Sequence, residues 1–224
     1  MEPELEEVAA LSAAKLDGLR KKINAASWND DLERLLKGWG EKAAGLRYMH
    51  NSASGYWRDW GNTLTMVSII VSSVAGGVSL LATGLDDQDA KDAVMFAVGG
   101  VGLLSSIIQS FKKFYNSEEK AADHGVSSKQ FGSFYRFMTI QLGMPREDRW
   151  PSDRLSEYVL REYERMQQDA RPLGGDIISN FRKNFDNKKQ AFPDICETSF
   201  IIHVYDPSVT PVNDPSSIEL HSAQ

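Results

Sequence analysis

Two stretches without a charged side chain constrain this chain more than any motif. Between Trp60 and Leu85, 26 residues pass without Asp, Glu, Lys, Arg or His, and between Ala93 and Phe111 another 19 do the same. Only Asp86-Asp87-Gln88-Asp89-Ala90-Lys91-Asp92 separates them. A helix rises about 1.5 Å per residue, so the first run exceeds a hydrocarbon core of roughly 30 Å and the second just reaches across one. Seven polar residues suit the turn between antiparallel helices. The pattern predicts a two-span transmembrane helical hairpin. The competing arrangement, two buried helices of a soluble bundle, requires other parts of the chain to cover these runs.

Around the hairpin the chain is polar, with 25% charged residues and a formal net charge of −6. Nucleic acid is not an expected partner, because phosphate binding needs clustered Lys and Arg. The one cysteine, Cys196, has no partner for an internal disulfide, and its neighbours Asp194 and Glu197 do not favour a reactive thiolate. Glu2, Glu4, Glu6 and Glu7 oppose a secretory leader, so insertion is expected to rest on the hairpin itself.

Lysine and arginine near the span ends set the expected orientation. Lys42, Arg47 and Arg58 precede the first span and Lys112, Lys113 and Lys120 follow the second, while the loop offers only Lys91. Both termini are therefore expected on the cytoplasmic side, with Asp86, Asp87, Asp89 and Asp92 at the opposite mouth. Tyr56, Trp57 and Trp60 on one helix and Phe111, Phe114 and Tyr115 on the other form the expected interfacial aromatic belt.

Proline divides the remainder: after Pro3 none occurs until Pro145, and seven prolines lie from there on. The first two-thirds is thus free to form long helices. Leu5, Val8, Ala9, Ser12, Leu16, Leu19 and Ile23 recur at helical spacing, predicting an amphipathic helix over 1–27. Ser27 to Asp30 reads as a break and a new N-cap. Leu32, Leu35, Leu36, Trp39, Ala43 and Leu46 form the stripe of a lead-in helix over 28–59. The hairpin occupies 60–111.

A cytoplasmic helical region follows over 112–192. Phe131, Phe134, Tyr135, Met138 and Leu142 make one face of a helix continuing the second span and ending near Gly143-Met144-Pro145. Ser152 or Asp153 is the expected cap of another, bearing Leu155, Tyr158, Val159 and Met166 and ending at Arg171-Pro172. A last short helix is expected from Asp176 to Phe185. The tail, 193–224, reads as largely extended or disordered, with one β-like run from Ser199 to Tyr205. The fold class is an all-α membrane protein whose hairpin helices extend into a cytoplasmic helical bundle.

Within the spans, Thr65, Ser68, Ser72, Ala75, Ser79 and Ala82 fall on one seam, and Gly99, Gly102, Ser106 and Gln109 on another. Helices associate in lipid through close packing of small residues and interhelical hydrogen bonds. The seams therefore read as packing surfaces within the hairpin or between protomers, or as the wetted wall of a pore in a ring of several chains. No ionisable residue lies at mid-span, which argues against a proton relay. An acidic ring at the mouth favours cations.

Enzyme chemistry finds no support. His50, His124, His203 and His221 lack metal-ligand spacing, and the glycines of Gly76-Gly77 and Gly99-Gly100-Val101-Gly102 are not followed by the Lys-Ser/Thr of a phosphate loop. No catalytic residue, metal or cofactor is expected. His50 and His124 flank the spans at similar distances and are expected at one depth, packed and hydrogen-bonded.

The segment from Leu32 to Phe192 resembles the SLATT family, a two-span group predicted to act as pore-forming effectors. The resemblance rests on the aromatic lead-in Trp39 to Trp60 with Arg47-Tyr48-Met49-His50 and Ser52-Ala53, and on the Gly/Ser-rich hairpin. It also rests on Lys113-Phe114-Tyr115-Asn116-Ser117-Glu118-Glu119-Lys120-Ala121-Ala122-Asp123-His124 and the helix from Ser152. It implies a homo-oligomeric membrane effector with helices projecting into the cytoplasm. The leading expectation is an ion-conducting pore. The alternative is a non-conducting membrane scaffold that recruits a cytoplasmic protein partner through its helices and tail, and a third reading is a membrane-anchored sensor.

Overall fold

The computed structural model describes residues 2–197 except 83, 85 and 86, and no strand occurs among them. The β-like run from Ser199 to Tyr205 lies outside the described residues. Helix α1 spans Glu2–Ser27, α2 Asp30–Ala82, α3 Gln88–Tyr115, α4 Ser117–Gly143, α5 Ser152–Asp169 and α6 Gly175–Asn184. Short 3-10 turns occupy Arg146–Asp148 and Asp194–Cys196.

The predicted break before residue 30 is present, and its chemistry is local. Asn29 Oδ1 accepts the Leu32 N–H at 2.7 Å, and Asp30, Asp31 and Glu33 place negative charge against the first turn of α2. From there α2 runs unbroken for 53 residues, about 80 Å at 1.5 Å per residue. Its antiparallel partner is interrupted once. Asn116 adopts a left-handed φ of 44°, which an Asn tolerates better than most residues, and divides the predicted continuous helix into α3 and α4.

Below the charge-free runs, α2, α4, α5 and α6 share one core, here termed the stem. Leu36, Ala43, Leu46 and Met49 of α2 meet Phe131, Phe134 and Met138 of α4 and Leu155, Val159 and Met166 of α5, with Phe181 of α6 and Cys196 at one flank. The helical stripes predicted most of this core, but not the buried Trp28 and Met49. Leu35 is exposed, because its neighbour Leu36 takes the inward position, and Tyr163 is buried without having been singled out. The segment Asp194–Cys196 is not a loose tail: Pro193 and Cys196 are buried, and Arg182 Nε donates to the Cys196 carbonyl at 3.0 Å.

Two further boundaries differ from expectation. Neither Ser152 nor Asp153 caps α5; Pro151 precedes the helix, and Ser152 Oγ instead donates to the Ser27 carbonyl at 2.9 Å. Helix α5 stops at Asp169, before Arg171-Pro172. An ion-pair network fixes the same corner. Glu33 receives Arg146 Nε at 2.7 Å and Arg149 Nη1 at 2.5 Å, which holds its carboxyl down at about 2. Arg149 also donates to the Met144 and Leu142 carbonyls and lies over the Trp28 ring.

Helix α1 lies against this corner through its last turns only. Asn24 Nδ2 donates to the Arg149 carbonyl at 2.6 Å and Lys21 reaches Asp148 at 3.3 Å. The amphipathic stripe is not covered: Leu16, Leu19 and Ile23 are exposed, and the side chains of Leu5, Val8 and Ala9 lie outside the described ones.

Glycine in a helix interior costs about 1 kcal/mol relative to alanine, so its use in α2 needs a reason. At Gly45 the reason is contact: a Cβ there would stand 2.7 Å from Pro193 Cγ and 3.1 Å from Phe181 Cζ. The proline ring has no rotamer into which it can retreat. Gly45→Ala is accordingly expected to destabilise the stem by about 1–3 kcal/mol in thermal or denaturant melts, as overpacking does elsewhere. Gly18→Ala, with nothing within 4 Å, is expected to cost nothing. Equal melts for G45A and the parent protein contradict the contact.

Candidate functional site

Above the stem, residues 60–82 of α2 and the whole of α3 form the helical hairpin, and both helices are long and apolar enough to cross a membrane. The described residues do not cover them. Leu80 is 75% exposed, Phe96 87%, Leu103 70% and Phe114 82%, and none of the most apolar window of α2 is buried. A soluble helical core would hide these side chains; a surface this apolar marks a membrane or protein contact.

The predicted turn is shorter than the seven polar residues suggested. Helix α3 already begins at Gln88, so Asp89, Lys91 and Asp92 belong to its first turns. Asp87 is its cap, with extended backbone and a side chain that accepts the Asp89 N–H at 3.1 Å. Carboxylates at this end suit the positive end of the helix dipole. Asp86 lies outside the described residues.

The two small-residue seams have different surroundings. Thr65, Ser68, Ala75 and Ser79 are half-buried on the face of α2 toward α3, and Ser72 shares a 3.0 Å hydroxyl–hydroxyl hydrogen bond with Ser105. The side chain of Ala82 lies outside the described ones. On α3, however, the covered face consists of Val94, Val98, Val101, Ser105 and Ile108. Gly99, Gly102 and Ser106 sit one residue further on, about 100° around the helix, and are exposed. A Cβ at Gly99 or Gly102 would meet nothing within 4 Å, and Ser106 Oγ turns back to the Gly102 carbonyl at 3.0 Å. Gln109 links the two faces weakly, its Nε2 donating to Ser105 Oγ at 3.4 Å. Ser105, which the sequence analysis did not single out, was legible as a member of the Val94, Val98, Val101, Ile108 stripe.

The hairpin joins the stem through three stacked contacts. Gly61 lies against Ser117, whose Oγ would stand 2.8 Å from a Cβ at that position, so α2 and the start of α4 approach closely there. The aromatic belt is partly drawn together by a cation: Lys120 Nζ sits 4.2 Å from the Trp57 ring centre and 5.5 Å from that of Tyr115. Tyr56 packs edge-on against Trp57, Phe111 and Phe114 flank Tyr115, and Trp60 is exposed.

Beneath this layer, His50 and His124 meet at the same depth, as their placement in sequence suggested. Their Nδ1 atoms are 3.0 Å apart, each residue is 2% exposed, and the His50 ring stacks on Phe131. Such a bond needs one nitrogen to donate and the other to accept, so both rings cannot be imidazolium. Burial pushes His50 down to about 4, with the neighbouring His124 adding to the effect. His124 is lowered too, by burial and then by Arg171, against which Asp123 acts in the opposite sense. Arg171 itself pairs with Asp123 at 3.1 Å and Glu119 at 3.6 Å.

The unfolded chain therefore binds more protons than the folded one between about 6.5 and 4, and the stem loses stability as pH falls through that window. Melting followed by circular dichroism from pH 7 to 4 is expected to show a falling midpoint that His50→Gln flattens. A profile of unchanged slope in H50Q removes the pair as its cause. The chain matches no protein-family model, no curated protein and no solved structure.

Proposed function

We propose that this chain is an integral membrane protein whose hairpin assembles with further copies of itself into an ion-conducting pore, as the SLATT resemblance implies. One observation carries the reading: the apolar halves of α2 and α3 are uncovered, and the Gly99–Gly102–Ser106 face points away from α2 with open space beside it. In lipid, an uncovered small-residue face is the surface on which a second helix packs closely. The first seam is occupied within the hairpin, which leaves the second for a neighbouring protomer.

Orientation follows from the same charges as before. Lys112 and Lys113 lie in the last turn of α3 and Lys120 beside the aromatic layer, whereas the opposite end carries Asp87, Asp89 and Asp92. Both termini then face the cytoplasm. In a ring of protomers the aspartates stand at the outer mouth, where a cluster of carboxylates concentrates cations.

The test is reconstitution of the full-length protein in planar bilayers, with crosslinking to establish subunit number. Gly102→Leu is expected to abolish both the oligomer and the conductance, and Asp87→Asn with Asp89→Asn to lower cation preference while current persists. A crosslinked oligomer that stays silent across voltage, Ca2+ and nucleotide conditions refutes the pore.

A second reading, a non-conducting scaffold, draws support from α1. Its exposed Leu16, Leu19 and Ile23 offer an amphipathic face to a protein partner. Under that reading a silent oligomer still recruits protein, and deleting α1 removes the recruitment.

A further inference from the structure

A groove of about 600 Å³ runs along the stem between α2 and α4, with α6 and Gln190 closing one side. Three cations line it, Arg47 from α2 and Lys129 and Arg136 from α4, and no carboxylate does. None of the three stands in an ion pair among the described residues. They converge without a carboxylate beside them in a molecule that carries 31 carboxylates against 25 Lys and Arg. Arg146, Arg149 and Arg171 differ: the first two share Glu33, and the last holds two acids.

The convergence is built into the backbone. Gly132 is buried, and a Cβ there would lie 3.1 Å from Arg47 Cδ, 3.3 Å from Arg47 Nε and 3.6 Å from Arg136 Nη1. Two guanidinium groups thus reach the space that a side chain at 132 would fill. The backbone of Arg47 is held as well, its carbonyl accepting from the buried Ser128 Oγ at 3.1 Å. Two forks of N–H donors at one point, uncompensated, are the arrangement that recognises phosphate oxygens.

Beside them stands a ring. Tyr48 is 42% exposed and packs edge-on against Phe185 at 4.9 Å, which fixes its plane while leaving part of it open. Asn51 lines the groove on the same helix and Gln190 its rim, supplying amide donors and acceptors.

We propose that this groove binds a small organic phosphate carrying a planar ring, the chemistry of a nucleotide, with Arg47 and Arg136 on the phosphate and Tyr48 against the ring. A lipid headgroup fits less well. Arg47 lies 13 residues from Trp60, about 20 Å along the helix, well below the aromatic layer. The site is independent of whether the hairpin conducts, since every residue in it belongs to the stem.

Calorimetric titration of the full-length protein in detergent micelles at physiological salt tests it, with ATP, inorganic pyrophosphate and adenosine as probes. ATP is expected to bind, pyrophosphate more weakly by about tenfold, and adenosine not measurably, the charge-assisted contacts being the stronger share. Arg47→Gln and Arg136→Gln are each expected to cut ATP affinity at least about tenfold, since each removes a charged donor. Gly132→Val should do so by displacing Arg47, and Arg154→Gln, on the exposed face of α5, should leave binding unchanged. No heat with ATP or pyrophosphate, or ATP binding indifferent to both R47Q and R136Q, overturns the proposal. So does binding lost equally in R154Q, or binding seen only with phosphatidylserine vesicles, which would assign the groove to lipid.

Discussion

One unbroken helix serves two different surroundings, and the rest of the structure is arranged to allow it. Up to about Trp60, α2 buries Leu36, Ala43, Leu46 and Met49 against three other helices; beyond it, the same helix presents Ile69, Ile70 and Val74 to the outside. A helix of 53 residues cannot adjust one half without carrying the other along, so its partner must supply the adjustment. It does so at Asn116, the only described non-glycine residue with positive φ. There the antiparallel partner breaks once, and Gly61 admits Ser117 at the crossing.

The junction between the two regimes holds most of the unusual polar chemistry of the described residues. Lys120 is placed over Trp57 and near Tyr115, so a cation sits where the apolar helices end. One turn further from the hairpin, His124 meets His50 in a buried pair that is bonded only while at least one ring is neutral. Ser54 Oγ closes the same level by donating to the Ala121 carbonyl at 2.7 Å. These two pairs span α2 and α4 and fix their register more firmly than apolar contacts alone can, while the buried Ser117 Oγ at the same junction has no partner among the described residues.

The hairpin was legible because charge exclusion over a long run is a one-dimensional signal, and so were the stem helices, whose inward residues recur at helical spacing. What escaped was relational. Both small-residue seams are visible in the sequence, yet small residues mark a face able to pack without saying on what. The valine face of α3 with Ser105 took the place against α2 that the glycines had been offered. The shorter turn escaped for a related reason: Asp89 and Asp92 read as loop by polarity, but carboxylates are also favoured in the first turns of a helix. The basic groove was beyond reach altogether, because Arg47 and Arg136 are separated by the whole hairpin and meet only beside a glycine on α4.

This division of labour bears on what holds the hairpin together. In the stem, cohesion comes from aromatic and aliphatic burial around Phe131, Tyr163 and Phe181. Between α2 and α3 a described polar contact is the Ser72–Ser105 bond, and interhelical hydrogen bonds in lipid contribute only about 0.6–2 kcal/mol each. The pairing of the two apolar helices therefore leans on the stem, where the packing of α2 against α4 sets the alignment that α2 and α3 carry into the apolar zone. A proton that loosens the stem at the His50–His124 pair, or a ligand that stiffens it between Arg47 and Arg136, acts in each case on one residue of the helix that carries Ser72, His50 or Arg47, and on one residue of α4. Any such effect would need no relay of side chains, because α2 is one continuous helix common to both ends.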